Sequence, residues 1–306
     1  MSTPLETPLS RRDVHTAPLI DGRPAPNGRR ASFGLRVRQA LLSGGERVEA
    51  DLEARLRGLP GVTRSNTVAL ISPKGGVGKT TSTFVVGDLL ATHLNLRVVA
   101  VDANPDFGTL GRLSGARRPS ERSLADLLDD ADRIKTAAEL NAYVSREPSG
   151  LHVLAAPHDA ELTASLGPDR YGELVAFLGC FYEVVLLDLG TGVAGPLARF
   201  AVERADQVVL VTTPEWVTSS VVLDALAHVK HDRTTVVLNK SILKGSDVSA
   251  VEERFRAEHL HRSVTIPFDA QLASMLDCGR YTLGGLGRPT RVAIKRLGLA
   301  VGEELA

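Results

Sequence analysis

The sequence predicts an α/β fold over residues 66–306, a doubly wound and mostly parallel sheet, with a disordered and helical extension in front of it. Three observations carry this reading. Short β-branched runs alternate with helical stretches along about 240 residues, which is how a parallel sheet with crossover helices is written. Several runs are apolar at consecutive positions, as strands covered on both faces require. A glycine-rich segment sits between the first run and the first helix, where such sheets place phosphate groups.

The elements follow in order. Residues 1–32 are rich in Pro, Ser, Thr and Arg without a hydrophobic period, and are expected to form a disordered basic tail. Residues 33–65 form a helical extension: ASFGLRVRQALL has helical spacing, Ser43-Gly44-Gly45 breaks it, and a charged helix resumes at Glu46. Leu52, Leu56 and Leu59 recur there at i, i+4 and i+7, a narrow stripe that suits docking on a larger body or facing a partner or membrane. The strand candidates are 67–72, 97–102, 151–156, 183–188, 207–213, 234–239 and 264–267.

Composition narrows the function classes. With 43% hydrophobic and 24% charged residues, the chain has the means to bury a core. Thirty-six basic residues balance 36 acidic ones, so no global field draws in nucleic acid or anionic lipid. Two cysteines, Cys180 and Cys278, argue against a disulfide framework or a cysteine zinc site. The chain has no apolar run of roughly 18 residues, and its first residues lack a signal peptide's apolar stretch, so a cytoplasmic protein is expected.

The chemistry concentrates at the ends of the strands. After the first run comes Lys74-Gly75-Gly76-Val77-Gly78-Lys79-Thr80-Thr81, then a helix. Glycines let backbone N–H groups turn toward phosphate oxygens, and the helix N-terminus adds its positive end. Lys79 is placed to neutralise β and γ phosphates and Thr80 to ligate Mg²⁺, which makes a nucleotide's phosphates with Mg²⁺ the expected ligands. Asp102 and Asp188 end the second and fourth runs, where carboxylates hold magnesium through water; a strand-end Asp also serves as a helix cap. Gly190 and Gly192 behind Asp188 suit a loop that responds to loss of the γ-phosphate. Asn239 ends the sixth run, where an Asn is a common turn residue and can also offer both a donor and an acceptor. His228 with His231, and His259 with His261, lack the Cys or carboxylate companions of a metal site, and no Ser-His-Asp or Cys-His set stands out.

KGGVGKTT, the strand ending at Asp102, VVLLDLGTG, VVLNK and IPFDAQLASMLDCG, in that order, resemble the ParA/MinD family of deviant Walker A ATPases, P-loop NTPases of the SIMIBI type. The resemblance covers roughly residues 66–306, and VDANPDFGTL behind a basic tail looks closest to actinobacterial MinD-like proteins, some associated with type VII secretion. It implies an ATP-dependent homodimer in which Lys74 reaches the partner subunit's phosphates, a role that also suits a second cation beside a loop already holding Lys79. It implies adenine contacts from Asn239 and the Pro267-Phe268-Asp269 turn, and a protein partner or cargo engaged in the ATP state. It also exposes a departure. Many relatives carry Asp-x-Asp-Pro where this chain has Asp102-Ala103-Asn104-Pro105, and an Asn cannot accept a proton, so slow hydrolysis is expected unless Asp102 or Asp106 substitutes. A nucleotide-binding scaffold with little turnover is the alternative.

A last group is basic. From Gly279 to Gly302 there is no acidic residue, while Arg280, Arg288, Arg291, Lys295 and Arg296 fall there. Such a stretch suits sequence-independent DNA binding, or the solvated face of a helix whose Val292, Ile294, Leu297 and Val301 pack on the sheet. The ending AVGEELA argues against a terminal membrane helix.

Overall fold

The computed structural model describes residues 44–104, 108–193, 195–215, 231–242, 245–257, 259–260 and 262–305. The expected tail, the first part of the helical extension, Pro105, Asp106, His228 and His261 lie outside the described residues. The strands are β1 Asn66–Ser72, β2 Val98–Ala103, β3 Ser145–Arg146, β4 His152–Leu154, β5 Val184–Thr191, β6 Gln207–Thr212, β7 Thr234–Ser241 and β8 Arg262–Pro267. The helices are α1 Gly44–Arg57, α2 Lys79–His93, α3 Leu124–Asp130, α4 Ala137–Leu140, α5 Ala160–Ser165, α6 Pro168–Gly179, α7 Pro196–Arg204, α8 Gly245–Ala257, α9 Ala270–Asp277 and α10 Arg288–Gly302.

One eight-stranded sheet runs in the order β3-β4-β2-β5-β1-β6-β7-β8. Every pair is parallel except β3–β4, a two-residue antiparallel edge that the apolar pattern did not announce. The consecutive apolar runs are buried on both faces, as the pattern requires. Val68, Leu70, Val98, Ala100, Val184 and Leu186 enter one core, and Ala69, Ile71, Val99, Val101, Val185 and Leu187 enter the other. The first core is capped by α2, α10 and α1, the second by α3, α6 and α7. Strand β1 lies between β5 and β6, so connections leave it to both sides and open a crevice at its C-terminal end.

Helix α1 begins two residues earlier than the Gly44-Gly45 break suggested, and it docks rather than standing apart. Leu52 and Leu56 are buried in the core they share with Leu297 and Val301 of α10. Alongside them Glu46, Glu49 and Glu53 meet Arg288, Arg291 and Lys295, with spacings of three and four residues on both helices. Arg291 Nε and Nη2 donate to the two Glu49 oxygens at 2.8 and 2.9 Å, and Lys295 Nζ lies 2.7 Å from Glu49 and 2.5 Å from Glu53.

Candidate functional site

The loop from Pro73 to Gly78 closes between β1 and α2 because two of its glycines take left-handed backbone, Gly76 at φ 77° and Gly78 at φ 92°. A Cβ on Gly78 would overlap the Asn239 side-chain amide, so glycine is also needed there for close approach. Asn239 Nδ2 donates to the Val77 carbonyl at 2.8 Å, and Lys240 Nζ donates to the Gly76 carbonyl at 2.7 Å. Lys240 itself sits at φ 54°, a left-handed turn off the end of β7 that brings its side chain back over the loop. With those carbonyls held from outside, the loop's N–H groups are left to face inward.

Inside the loop, Lys79 is the first residue of α2 and is buried. Its Nζ lies 2.6 Å from Asp188 Oδ1 on β5, and Thr83 Oγ1, one turn further along α2, donates to the same oxygen at 3.2 Å. Asp188 is wholly buried, and its Oδ2 has no hydrogen-bond partner among the described residues. A buried carboxylate oxygen without a donor is costly in a closed protein and suits a site that receives a cation or its water. Asp102 pairs in register with Asp188 across β2 and β5. Burial, then the Asp188 charge, push its carboxyl up to about 6. Its two oxygens accept from the backbone N–H groups of Asn104 at 3.4 Å and Leu110 at 2.8 Å, so it also shapes the turn that carries Asn104.

Gly76, Val77, Gly78, Lys79, Thr80 and Thr81 line a cleft of about 330 Å³. Asn104, Thr109, Thr191 and Lys240 form its other walls. Gly75 is exposed at its mouth beside Thr191. Lys74 is exposed, outside the cleft lining, and bonds to no described residue. The loop therefore carries one lysine turned in and one turned out.

Some expected site residues have other occupations. Asp269 caps α9 by accepting from Gln271 N at 2.9 Å and Leu272 N at 3.2 Å, and takes Thr290 Oγ1 at 2.6 Å. The Thr290 hydroxyl, with those two N–H groups, holds its carboxyl below the ordinary range. Asp269 thus clasps α9 to α10. Pro267 pairs with Ser241 at the end of β8, and Phe268, 57% exposed, follows it; Ile242, after the end of β7, is more exposed still. The basic stretch is corrected as well. Arg288, Arg291 and Lys295 are ion-paired to α1, while Arg280 and Arg296 are exposed, so three of the five are already neutralised and they do not form one open cationic surface. Lys240 was missed as a site residue; its one sequence signal is its place after a strand-end Asn.

A model of the CobQ/CobB/MinD/ParA nucleotide binding domain matches residues 68–277. The chain is 31% identical over 244 residues to the ESX-1 secretion-associated protein EspI of Mycobacterium tuberculosis, covering 76% of this chain and 36% of that protein. It is 30% identical over 148 residues to the septum site-determining protein MinD of Synechocystis, covering 48% of this chain and 53% of that protein. The chain thus spans between about a third and a half of the length of these relatives. Among solved structures, it superposes on a ParA family ATPase from Chlorobium tepidum with a TM-score of 0.64 at 20% identity, covering 77% of this chain and 99% of that one. The septum site-determining protein MinD of Pyrococcus horikoshii, complexed with Mg-ADP, gives 0.60 at 20% identity, covering 76% and 94%.

Proposed function

The chain belongs to the CobQ/CobB/MinD/ParA nucleotide-binding family, and from that premise we propose that it is an ATP-dependent dimerising switch that hydrolyses ATP slowly and engages a partner protein to position or regulate a cellular assembly. The observation that carries this reading is the division of labour between the two loop lysines. Lys79 is buried against Asp188 at the head of α2, and Lys74 is exposed on the outer side of the same loop. A cation with no partner among the described residues of its own subunit is most useful where a second subunit brings negative charge.

The residues divide the work as follows. The N–H groups of Gly75 to Thr81 cradle the phosphates, and Lys79 moves from Asp188 to the β and γ oxygens. Thr80 and Asp188, with its undonated Oδ2, would hold Mg²⁺, which when bound neutralises phosphate charge; Asp102 supports the same region from β2. Phe268, exposed beside the end of β7, offers a flat apolar face for the adenine ring, with Pro267 behind it. Asn239 contributes to that end chiefly by holding Val77 in place. Asn104 faces the phosphates in the place of a carboxylate; it can hydrogen-bond a water but not take its proton, which limits turnover. No helix among the described residues is long and apolar enough to cross a membrane, and a cytoplasmic setting fits this reading. Nothing on α10 favours DNA as the surface, because three of its cations are already paired.

Light scattering on the chain with ATP, with ADP and without nucleotide tests the proposal. Mass doubles with ATP in the wild type and stays monomeric in Lys74→Ala, which retains ATP binding, and in Lys79→Ala, which does not. Unchanged mass with ATP, or a doubling that survives Lys74→Ala, defeats the cross-subunit role. Phosphate release no faster than in Lys79→Ala replaces the slow enzyme by a nucleotide-binding scaffold.

A further inference from the structure

The exposed arginines of this surface are of two kinds. Those along α1 and α10 mostly have carboxylate partners, as Arg55 has Glu303 and Arg288 has Glu46. Arg117, Arg118 and Arg146 are exposed and have no acidic partner within ion-pair distance among the described residues. All three line one depression of about 520 Å³, with Glu147 and Pro148 as its remaining wall. From this juxtaposition we propose that the depression is a docking site for an acidic, Asp/Glu-bearing segment of a partner protein, held by paired guanidinium–carboxylate contacts.

The single carboxylate in the wall does not neutralise the arginines. Glu147 is itself 4% exposed and is spent inward, accepting from Ser114 Oγ and, at 2.9 Å, from the Gly115 N–H. Those two bonds anchor the segment that carries Arg117 and Arg118 onto the end of β3, where Arg146 stands. Ser120 N donates to Ser145 Oγ at 3.0 Å and pins the other end of the segment to the same strand. The three guanidinium groups thus project from a framework hydrogen-bonded on both sides, which lowers the ordering cost of binding. Three like charges around one concavity repel each other, and an incoming anion relieves that repulsion.

An acidic protein segment fits better than a nucleic acid. The chain carries no net charge, so it lacks the broad field that sequence-independent phosphate binding depends on. The α10 cations that would have widened a basic face are paired to α1. What remains is small and concave, has Pro148 as an apolar side, and presents forked donors that match a planar carboxylate two bonds at a time.

The test is fluorescence anisotropy of fluorescein-labelled octaglutamate titrated with the full chain at low and at physiological salt. Octalysine and a short DNA duplex carrying the same dye serve as the other probes. Octaglutamate binds the wild type, more weakly as salt rises. Arg117→Ala/Arg118→Ala/Arg146→Ala loses roughly tenfold or more in affinity, while Arg296→Ala, exposed but outside the depression's lining, keeps it. Circular dichroism and ATP binding verify that the triple variant is folded; if it is not, the single changes Arg118→Gln and Arg146→Gln are each expected to weaken binding roughly twofold to threefold. Absence of octaglutamate binding to the wild type, or equal affinity in the wild type and the arginine variants, overturns the site. Tighter binding of the duplex than of octaglutamate, lost in the same variants, overturns the assignment to an acidic protein segment.

Discussion

Replacing Glu49 with Gln tests whether charge pairing, rather than shape alone, fastens α1 to the nucleotide-binding core. Glu49 accepts both forks of Arg291 and the Lys295 ammonium, and the Arg291 hydrogen bonds foremost hold its carboxyl down from 4.5 to about 2. That displacement caps its contribution at neutral pH at about 3 kcal/mol, and water reaching the rim of the helix pair reduces it to about 2 kcal/mol. Lys295 keeps Glu53 at 2.5 Å in the variant, so its buried ammonium is not stranded. Because the folded carboxyl is the stronger acid, the stabilisation is complete above 4.5 and disappears as pH falls through 4.5 toward 2. Urea unfolding of wild type and Glu49→Gln should therefore differ by about 2 kcal/mol at about pH 7 and by less than half of that at about pH 3. A gap of the same size at both pH values would show that the loss is one of packing and refute the electrostatic reasoning. A gap below about 0.5 kcal/mol at pH 7 would show that the helices are joined by Leu52 and Leu56 alone.

Three further outcomes follow from the same contacts. Gly78→Ala places a methyl group against the Asn239 amide at a positive φ and should cost about 2 kcal/mol or more together with ATP affinity; adding Asn239→Ala should recover part of the stability in urea, because it removes the overlap but not the backbone strain. Lys240→Ala removes the donor to Gly76 and should weaken binding of a fluorescent ATP analogue roughly fivefold with little change in melting temperature, whereas equal losses in both would make Lys240 merely structural. Asn104→Asp puts a carboxylate in the wall of the loop cleft and should raise steady-state phosphate release roughly tenfold or more, measured with Lys79→Ala as the blank; an unchanged rate places the limit on turnover elsewhere.

The phosphate loop was legible because its chemistry is local. Glycines, Lys79 and Thr80 must be consecutive between a strand and a helix, and that order is visible in one stretch. The parallel sheet was legible for a similar reason, since strands buried on both faces announce themselves as unbroken apolar runs. The antiparallel β3 was not, because two residues carry no period, and it matters because it seats Arg146. Lys240 was passed over because its importance comes from a left-handed turn that sends it back onto a loop over 160 positions earlier. The basic stretch was visible as charge, but its acidic complement lay in Glu46, Glu49 and Glu53, far away in the chain.

From sequence alone came the nucleotide loop, the sheet class, the spare cation at Lys74 and the missing carboxylate at Asn104. Each is a property of a residue type in its immediate context. Only the tertiary structure decided which charges are free. It cancelled Arg288, Arg291 and Lys295 against α1, spent Asp269 on a helix cap, joined Lys79 to Asp188, and left Arg117, Arg118 and Arg146 with no acidic partner among the described residues around one hollow. The physical reason is that a charge acts through the few ångströms around it, and folding, not chain order, sets what lies within them.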